Sequence, residues 1–124
     1  MNWYKTAQLE IPPSCQGGDC FEAAGRYFMD NAVFPYQREG IVLVHGEVTG
    51  QGPIEGLKYG HAWIEEGDTV IDMSRGRNVK MPKILYYALG NIEEEKTFRY
   101  TPQEFRKKII ETEHWGPWDL KTEF

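Results

Sequence analysis

The chain of 124 residues has the length of one ordinary domain, and its 40% apolar and 27% charged residues are typical of folded globular proteins. Its formal net charge of -5 excludes a broad basic surface, so we expect no nucleic acid partner. A bilayer-crossing run of about 20 apolar residues and a secretory signal pattern are also missing, so we expect no membrane segment and a cytoplasmic location.

The amino-terminal region is predicted to be an arm or loop over residues 1–18, because prolines and glycines recur in its second half. A helix is predicted over residues 19–31. Asp19 and Glu22 form a D-x-x-E capping pattern, and apolar residues follow at helical spacing, namely Phe21, Ala24 and Phe28. This start places Cys20 in the first turn of the helix.

An antiparallel sheet is predicted within residues 41–75. The run from Ile41 to Val48 is rich in β-branched residues and indicates a buried strand. Two further strands, 59–65 and 69–73, flank Glu66-Gly67-Asp68, which has the composition of a hairpin turn.

The carboxyl-terminal part is predicted to hold a short helix over 82–89, a strand over 96–100 and a helix over 102–114. The last helix has the clearest signal, because Thr101-Pro102-Gln103-Glu104 combines a cap, a proline at the first helical position and an acid at the third. Trp115 and Trp118 follow it. We expect them to hold the carboxyl terminus against the domain; the alternative is an aromatic lip beside a cleft.

The two cysteines, Cys15 and Cys20, are expected to be reduced, because a disulfide closing so short a loop stabilises a chain with its own core very little. Cys20 opens a helix, where unpaired backbone N–H groups and the helix dipole favour a thiolate. The same N–H groups could bind the oxyanion of a tetrahedral intermediate. The alternative is a small apolar residue packed at a helix start.

His61 and Asp72 lie on successive predicted strands. An even-length turn around Gly67 places both side chains on one face of the sheet, and an odd-length turn separates them. A two-residue loop makes them diagonal neighbours with about 7 to 8 Å between backbone positions, and a four-residue loop makes them directly opposite. In both cases Asp72 could orient the imidazole, whose second nitrogen would exchange a proton with Cys20.

These elements together resemble a known family. A cysteine that opens a helix, then Gly60-His61-Ala62-Trp63-Ile64-Glu65, then Val70-Ile71-Asp72-Met73-Ser74, resembles the transglutaminase-like branch of the papain-like cysteine enzymes. That family commonly has a His-Ala-Trp-aliphatic-Glu strand and then an aliphatic-Asp-Pro-Thr strand. Met73-Ser74 replaces the Pro-Thr pair here, and no tryptophan accompanies Cys20.

The resemblance implies an α+β fold, with an amino-terminal catalytic helix packed on an antiparallel sheet and an additional carboxyl-terminal helix. It implies Cys20 as nucleophile, His61 as base and Asp72 as the residue that orients it. Gln16 is a candidate oxyanion donor. Trp63 would shield the imidazole or line an acyl pocket, unless it is a core aromatic. Cell-wall peptidases of the NlpC/P60 type and arylamine acetyltransferases share this topology, so the reaction stays open.

We therefore expect a cysteine peptidase or amidase, or an acyltransferase, that acts on a peptide, amide or small acyl substrate. We favour amide hydrolysis over cross-linking, because one domain of this length offers little surface for two large substrates. No phosphate-binding or dinucleotide motif occurs and the three histidines are scattered, so no cofactor or metal is expected. The alternative is a binding module that keeps the fold and has lost the chemistry.

Overall fold

The computed structural model describes residues 19–50, 56–73 and 79–121. Within these ranges the chain is a mixed α+β domain with a five-stranded antiparallel sheet of order β4-β3-β2-β1-β5 and three α-helices. The elements are α1 (Asp19–Phe28), β1 (Ile41–Thr49), β2 (Lys58–Glu66), β3 (Thr69–Asp72), β4 (Val79–Pro82), α2 (Lys83–Gly90), β5 (Phe98–Tyr100) and α3 (Pro102–Thr112). None of the helices in the described part of the chain has both the length and the apolar character needed to cross a membrane.

Helix α1 begins at the predicted position, and its apolar residues are buried: Phe21, Ala24 and Phe28. The prediction of a helix to residue 31 was too long, because the α-helix gives way at Phe28 to a π-helical turn, Met29–Val33. The side chain of Asn31 donates a 2.8 Å hydrogen bond to the carbonyl of Tyr27. In a continuing α-helix that carbonyl would accept from the backbone of Asn31, so the side chain competes with the helical pattern.

The centre of the sheet is the pair of nine-residue strands β1 and β2, aligned from Ile41 opposite Glu66 to Thr49 opposite Lys58. Strand β4 was missed in the sequence, because the alternation of Val79, Lys80 and Met81 is too short to stand out and Pro82 lacks the N–H that a strand residue donates. It pairs antiparallel with β3, the strand that precedes it in the chain.

The sheet is covered by helices on both faces. On one face, the ring of Phe21 in α1 contacts the ring of His45 in β1, with 4.9 Å between centroids. On the other face, Tyr86 of α2 contacts Trp63 of β2 at 5.4 Å. Because successive residues of a strand point to opposite faces, His61 shares the face of Trp63 and therefore the side covered by α2.

The two tryptophans after α3 hold the carboxyl-terminal segment against the domain, as predicted. Trp118 packs on His45 and Tyr100, with both centroid distances 5.0 Å. Trp115 contacts Phe105 and lies so close to Gly25 that a β-carbon there would come within 2.5 Å of the indole. These rings are therefore part of the core between α1, α3 and the sheet.

Helix α3 has the predicted capping box. The Thr101 hydroxyl accepts a hydrogen bond from the backbone N–H of Glu104 at 3.1 Å, and the Glu104 carboxylate accepts one from the N–H of Thr101 at 2.9 Å. We expect Thr101→Ala to lower the free energy of unfolding by about 1 kcal/mol, as measured by urea denaturation. Thr101→Ser keeps the hydroxyl and should stay near the native value. Equal losses for the two variants would contradict this role of the cap.

Candidate active site

The hairpin between β2 and β3 decides which side chains share a face. Glu66 pairs with Thr69, so the loop has two residues and begins at Gly67. Gly67 has a φ of +61°, a conformation that the first position of a type II′ turn requires and that glycine adopts without strain. The loop is therefore even in length, and His61 and Asp72 lie on the same face.

His61 and Asp72 are hydrogen-bonded. Ile64 lies opposite Ile71, so the next step of the register places Asp72 opposite Trp63 and diagonal to His61. Nε2 of His61 lies 2.9 Å from Oδ2 of Asp72. We assign the ring proton to Nε2, because an ionised Asp72 carboxylate can only accept, and Nδ1 is then the basic nitrogen of the neutral ring.

The imidazole lies in an aromatic environment. Its centroid is 6.0 Å from that of Tyr59 and 6.1 Å from that of Trp63, and the residue is only 1% exposed. Trp63 itself is completely buried. It packs behind the histidine as a core aromatic, and its role in lining an acyl pocket stays a prediction.

Tyr86, on α2, completes the group around the carboxylate. Its hydroxyl donates a 2.7 Å hydrogen bond to Oδ2 of Asp72, the oxygen that His61 also contacts. Burial raises the pKa of Tyr86 well above its usual value, and the negative charge of Asp72 and the hydrogen bond to it raise the pKa further. The hydroxyl is therefore a neutral donor at physiological pH. Sequence reasoning missed this role, because no local pattern brings residue 86 to residue 72.

Cys20 is the second residue of α1 and is buried. Its sulfur lies 4.0 Å from the carbonyl oxygen of Gly60, the residue before His61. Strand β3 pairs with β2 only from Ile64 to Glu66, so the first half of β2 has no strand on that side among the described residues. The start of α1 contacts β2 in this region.

The Cys20 sulfur contacts the backbone of β2 at the residue before His61. The body of α1 covers the face that bears His45, whereas His61 points to the face covered by α2. Even so, the charge of a Cys20 thiolate is among the influences that raise the pKa of Tyr86. His61, Asp72 and Tyr86 thus form one hydrogen-bonded group, and the Cys20 sulfur lies against the backbone of the residue before His61.

Beside this group lies a buried acid that the sequence analysis did not assign a role. Glu65 is 2% exposed, and its carboxylate accepts hydrogen bonds from Trp63 Nε1 at 2.9 Å, from the Tyr87 hydroxyl at 2.5 Å and from the guanidinium of Arg99. Lys83 adds an ion pair at 3.4 Å.

The ionised form of Glu65 is stabilised by these donors. Burial alone would raise the pKa of this carboxyl, but the hydrogen bonds from Arg99, Tyr87 and Trp63 together outweigh burial and lower it. Glu65 is therefore charged at neutral pH and anchors the indole that packs against His61.

Two predicted residues, Gln16 and Cys15, lie outside the described residues, so the oxyanion role of Gln16 stays a prediction. In the described ranges, no group of three or more His, Cys, Asp and Glu side chains is arranged to hold a metal ion. Comparisons with models of protein families, with curated proteins and with solved structures found no match to this chain.

Proposed function

We propose that this chain is a cysteine-nucleophile enzyme, a peptidase or amidase or an acyltransferase, built on a transglutaminase-like core of the papain-like kind. The observation that carries the proposal is the 2.9 Å hydrogen bond between His61 and Asp72. A carboxylate that holds a buried imidazole from behind fixes its tautomer and stabilises the imidazolium, as a general base requires. The position of Cys20 beside Gly60 and at a helix start supplies the nucleophile.

In the proposed reaction, Nδ1 of His61 takes the proton of the Cys20 thiol, and the sulfur attacks the carbonyl carbon of an amide. Backbone N–H groups at the start of α1 bind the resulting oxyanion. His61 then returns the proton to the leaving amine as the C–N bond breaks, which leaves a thioester on Cys20. Water or a second amine, deprotonated by His61, attacks the thioester and releases the thiol.

Peptides, amides and small acyl donors are the substrate classes that fit this chemistry. Among the possible reactions we favour hydrolysis of an amide over cross-linking, because one domain of this length offers little surface for two large substrates. Asp72 stays ionised throughout and acts on the ring of His61 only.

The burial of Cys20 favours a second candidate function, a binding module that retains the fold without the chemistry. The residue is 2% exposed, and its helix packs mainly on the face opposite His61. A thiol of this kind would behave as a small apolar core residue.

Alkylation of Cys20 by iodoacetamide as a function of pH distinguishes the two candidates, with each cysteine followed by mass spectrometry. For the enzyme we expect the midpoint of the rate profile at least about one pH unit below the ordinary thiol value of about 8.5. His61→Ala should return the midpoint toward that value. The midpoint of the pH profile reports the ionisation of the Cys20 thiol, whereas the accessibility of the sulfur scales the alkylation rate at every pH.

Cys15 in the same chain is the internal control, with Cys15→Ser confirming the assignment of the labelled peptide. A Cys20 profile with a midpoint at or above about 8.5, the ordinary thiol value, and unchanged in His61→Ala would refute the enzyme and support the binding module.

A further inference from the structure

We infer that Tyr86 is a positioning residue of the proposed site, whose hydroxyl holds the Asp72 carboxylate in the orientation that His61 needs. The inference rests on the proposed function, because it concerns the same three residues. Tyr86 would act through Asp72 and would not touch the substrate.

The first support is geometric. Tyr86 donates at 2.7 Å and His61 at 2.9 Å to the same oxygen, Oδ2 of Asp72. Two donors that converge on one oxygen from different elements, α2 and β2, define both the rotamer of the carboxylate and the position of the ring. Asp72 is the last residue of β3, and its side chain is 14% exposed, so water competes for this carboxylate. A fixed donor keeps Oδ2 directed at the imidazole.

The second support is the charge of the donor. Burial keeps the Tyr86 hydroxyl protonated by raising its pKa, so the group remains a neutral donor over the pH range in which a cysteine enzyme works. A neutral hydroxyl can orient a carboxylate without cancelling its charge. The negative charge of Asp72 thus stays available to stabilise the imidazolium of His61.

The third support is the way α2 is docked. Tyr86 and Tyr87 are consecutive, and each donates its hydroxyl to one acid of the same sheet face, Tyr86 to Asp72 and Tyr87 to Glu65. Both rings also pack on Trp63, at centroid distances of 5.4 and 6.0 Å. Loss of either hydroxyl therefore removes one hydrogen bond from α2 to a carboxylate of the sheet, but only Tyr86 donates to the partner of His61.

This pairing provides a matched test with Tyr86→Phe and Tyr87→Phe. We expect Tyr86→Phe to lower the rate of Cys20 alkylation at pH 7 about 3- to 10-fold, which corresponds to the loss of one hydrogen bond. The midpoint of the pH profile should also move to higher pH. Tyr87→Phe should leave the profile unchanged within error, although thermal unfolding should show a similar loss of stability in the two variants.

A second readout separates this inference from the proposed function. Nitrogen-15 NMR of the imidazole reports the tautomer of His61 whether or not Cys20 is reactive. We expect the Nε2–H form in the native protein and in Tyr87→Phe, and a mixture of tautomers in Tyr86→Phe, with Asp72→Asn as the positive control.

An unchanged tautomer and alkylation profile in Tyr86→Phe would overturn the role of Tyr86 and leave the proposed enzyme intact. The same change in both tyrosine variants would also overturn it, because the effect would then reflect the docking of α2 alone. If the native Cys20 profile has its midpoint at or above about 8.5, the ordinary thiol value, the proposed function itself fails.

Discussion

Replacement of Glu65 by alanine is expected to lower the free energy of unfolding by about 2 to 4 kcal/mol, because buried donors lose their acceptor. Trp63 is completely buried, so its indole N–H would be left without a partner. Arg99 is 36% exposed on its side chain and can turn toward water, which keeps the loss below that of a fully enclosed ion pair. Urea denaturation followed by tryptophan fluorescence measures the change.

The neighbouring residue provides the control. Glu66 also pairs with an arginine, Arg38, but the two side chains are 43% and 39% exposed. Glu66→Ala should therefore cost less than about 1 kcal/mol, as is usual for surface ion pairs. Similar losses for Glu65→Ala and Glu66→Ala would show that burial of the Glu65 network does not govern stability.

Acidification is expected to destabilise the fold through His45, well above the pH at which most carboxylates titrate. The side chain is fully buried among the rings of Phe21, Tyr100 and Trp118. Neither ring nitrogen has a hydrogen-bond partner among the residues that the structure describes. Burial lowers the pKa of His45 from 6.5 to about 3, and the charge of Asp119 only partly opposes this.

The direction of the effect follows from proton binding. Below pH 6.5 the unfolded chain protonates His45 while the folded chain keeps it neutral. The stabilising contribution is therefore complete above that pH and is lost as the pH falls toward 3. Below pH 6.5 the free energy of unfolding is expected to fall by about 1.4 kcal/mol for each pH unit. By pH 5 the fold should therefore have lost about 2 kcal/mol of stability.

The slope of unfolding free energy against pH between 7 and 5 tests this prediction. His45→Phe should flatten the slope, whatever its effect on stability at neutral pH. His114→Gln is the control, because His114 is exposed. In this variant the slope of unfolding free energy against pH should equal that of the native protein. A His45→Phe protein that keeps the native slope would show that another group is responsible.

Much of the candidate site could be predicted from local patterns. The D-x-x-E pattern after residue 18 places a helix start at Cys20, and the helix is observed there. The hairpin around Gly67 was predicted with its loop length left open, and the observed two-residue loop is the even case, in which His61 and Asp72 share a face and are hydrogen-bonded. Both features depend on residues close in sequence, whose backbone preferences and strand alternation act before distant segments pack.

Other features of the site have no local signal. Strand β4 has only four residues, one of them Pro82, so its own sequence gives too short a pattern to mark a strand, and its pairing with β3 identifies it. The roles of Tyr86 and Arg99 depend on where α2 and β5 dock, since their acceptors lie elsewhere along the chain. A hydroxyl or a guanidinium has the same appearance in a sequence whether it meets water or a buried carboxylate.

By itself, then, the sequence determined the start of α1 beside Cys20 and the hairpin around Gly67, because both follow from the backbone preferences of residues close in sequence. Only the tertiary structure decided that the hairpin loop has two residues, which puts His61 and Asp72 on one face. It also decided that Cys20 contacts β2 at Gly60 and that Tyr86 is a second donor to Asp72. The physical reason is that burial and hydrogen bonding between distant segments depend on how whole elements pack, which no short run of residues specifies.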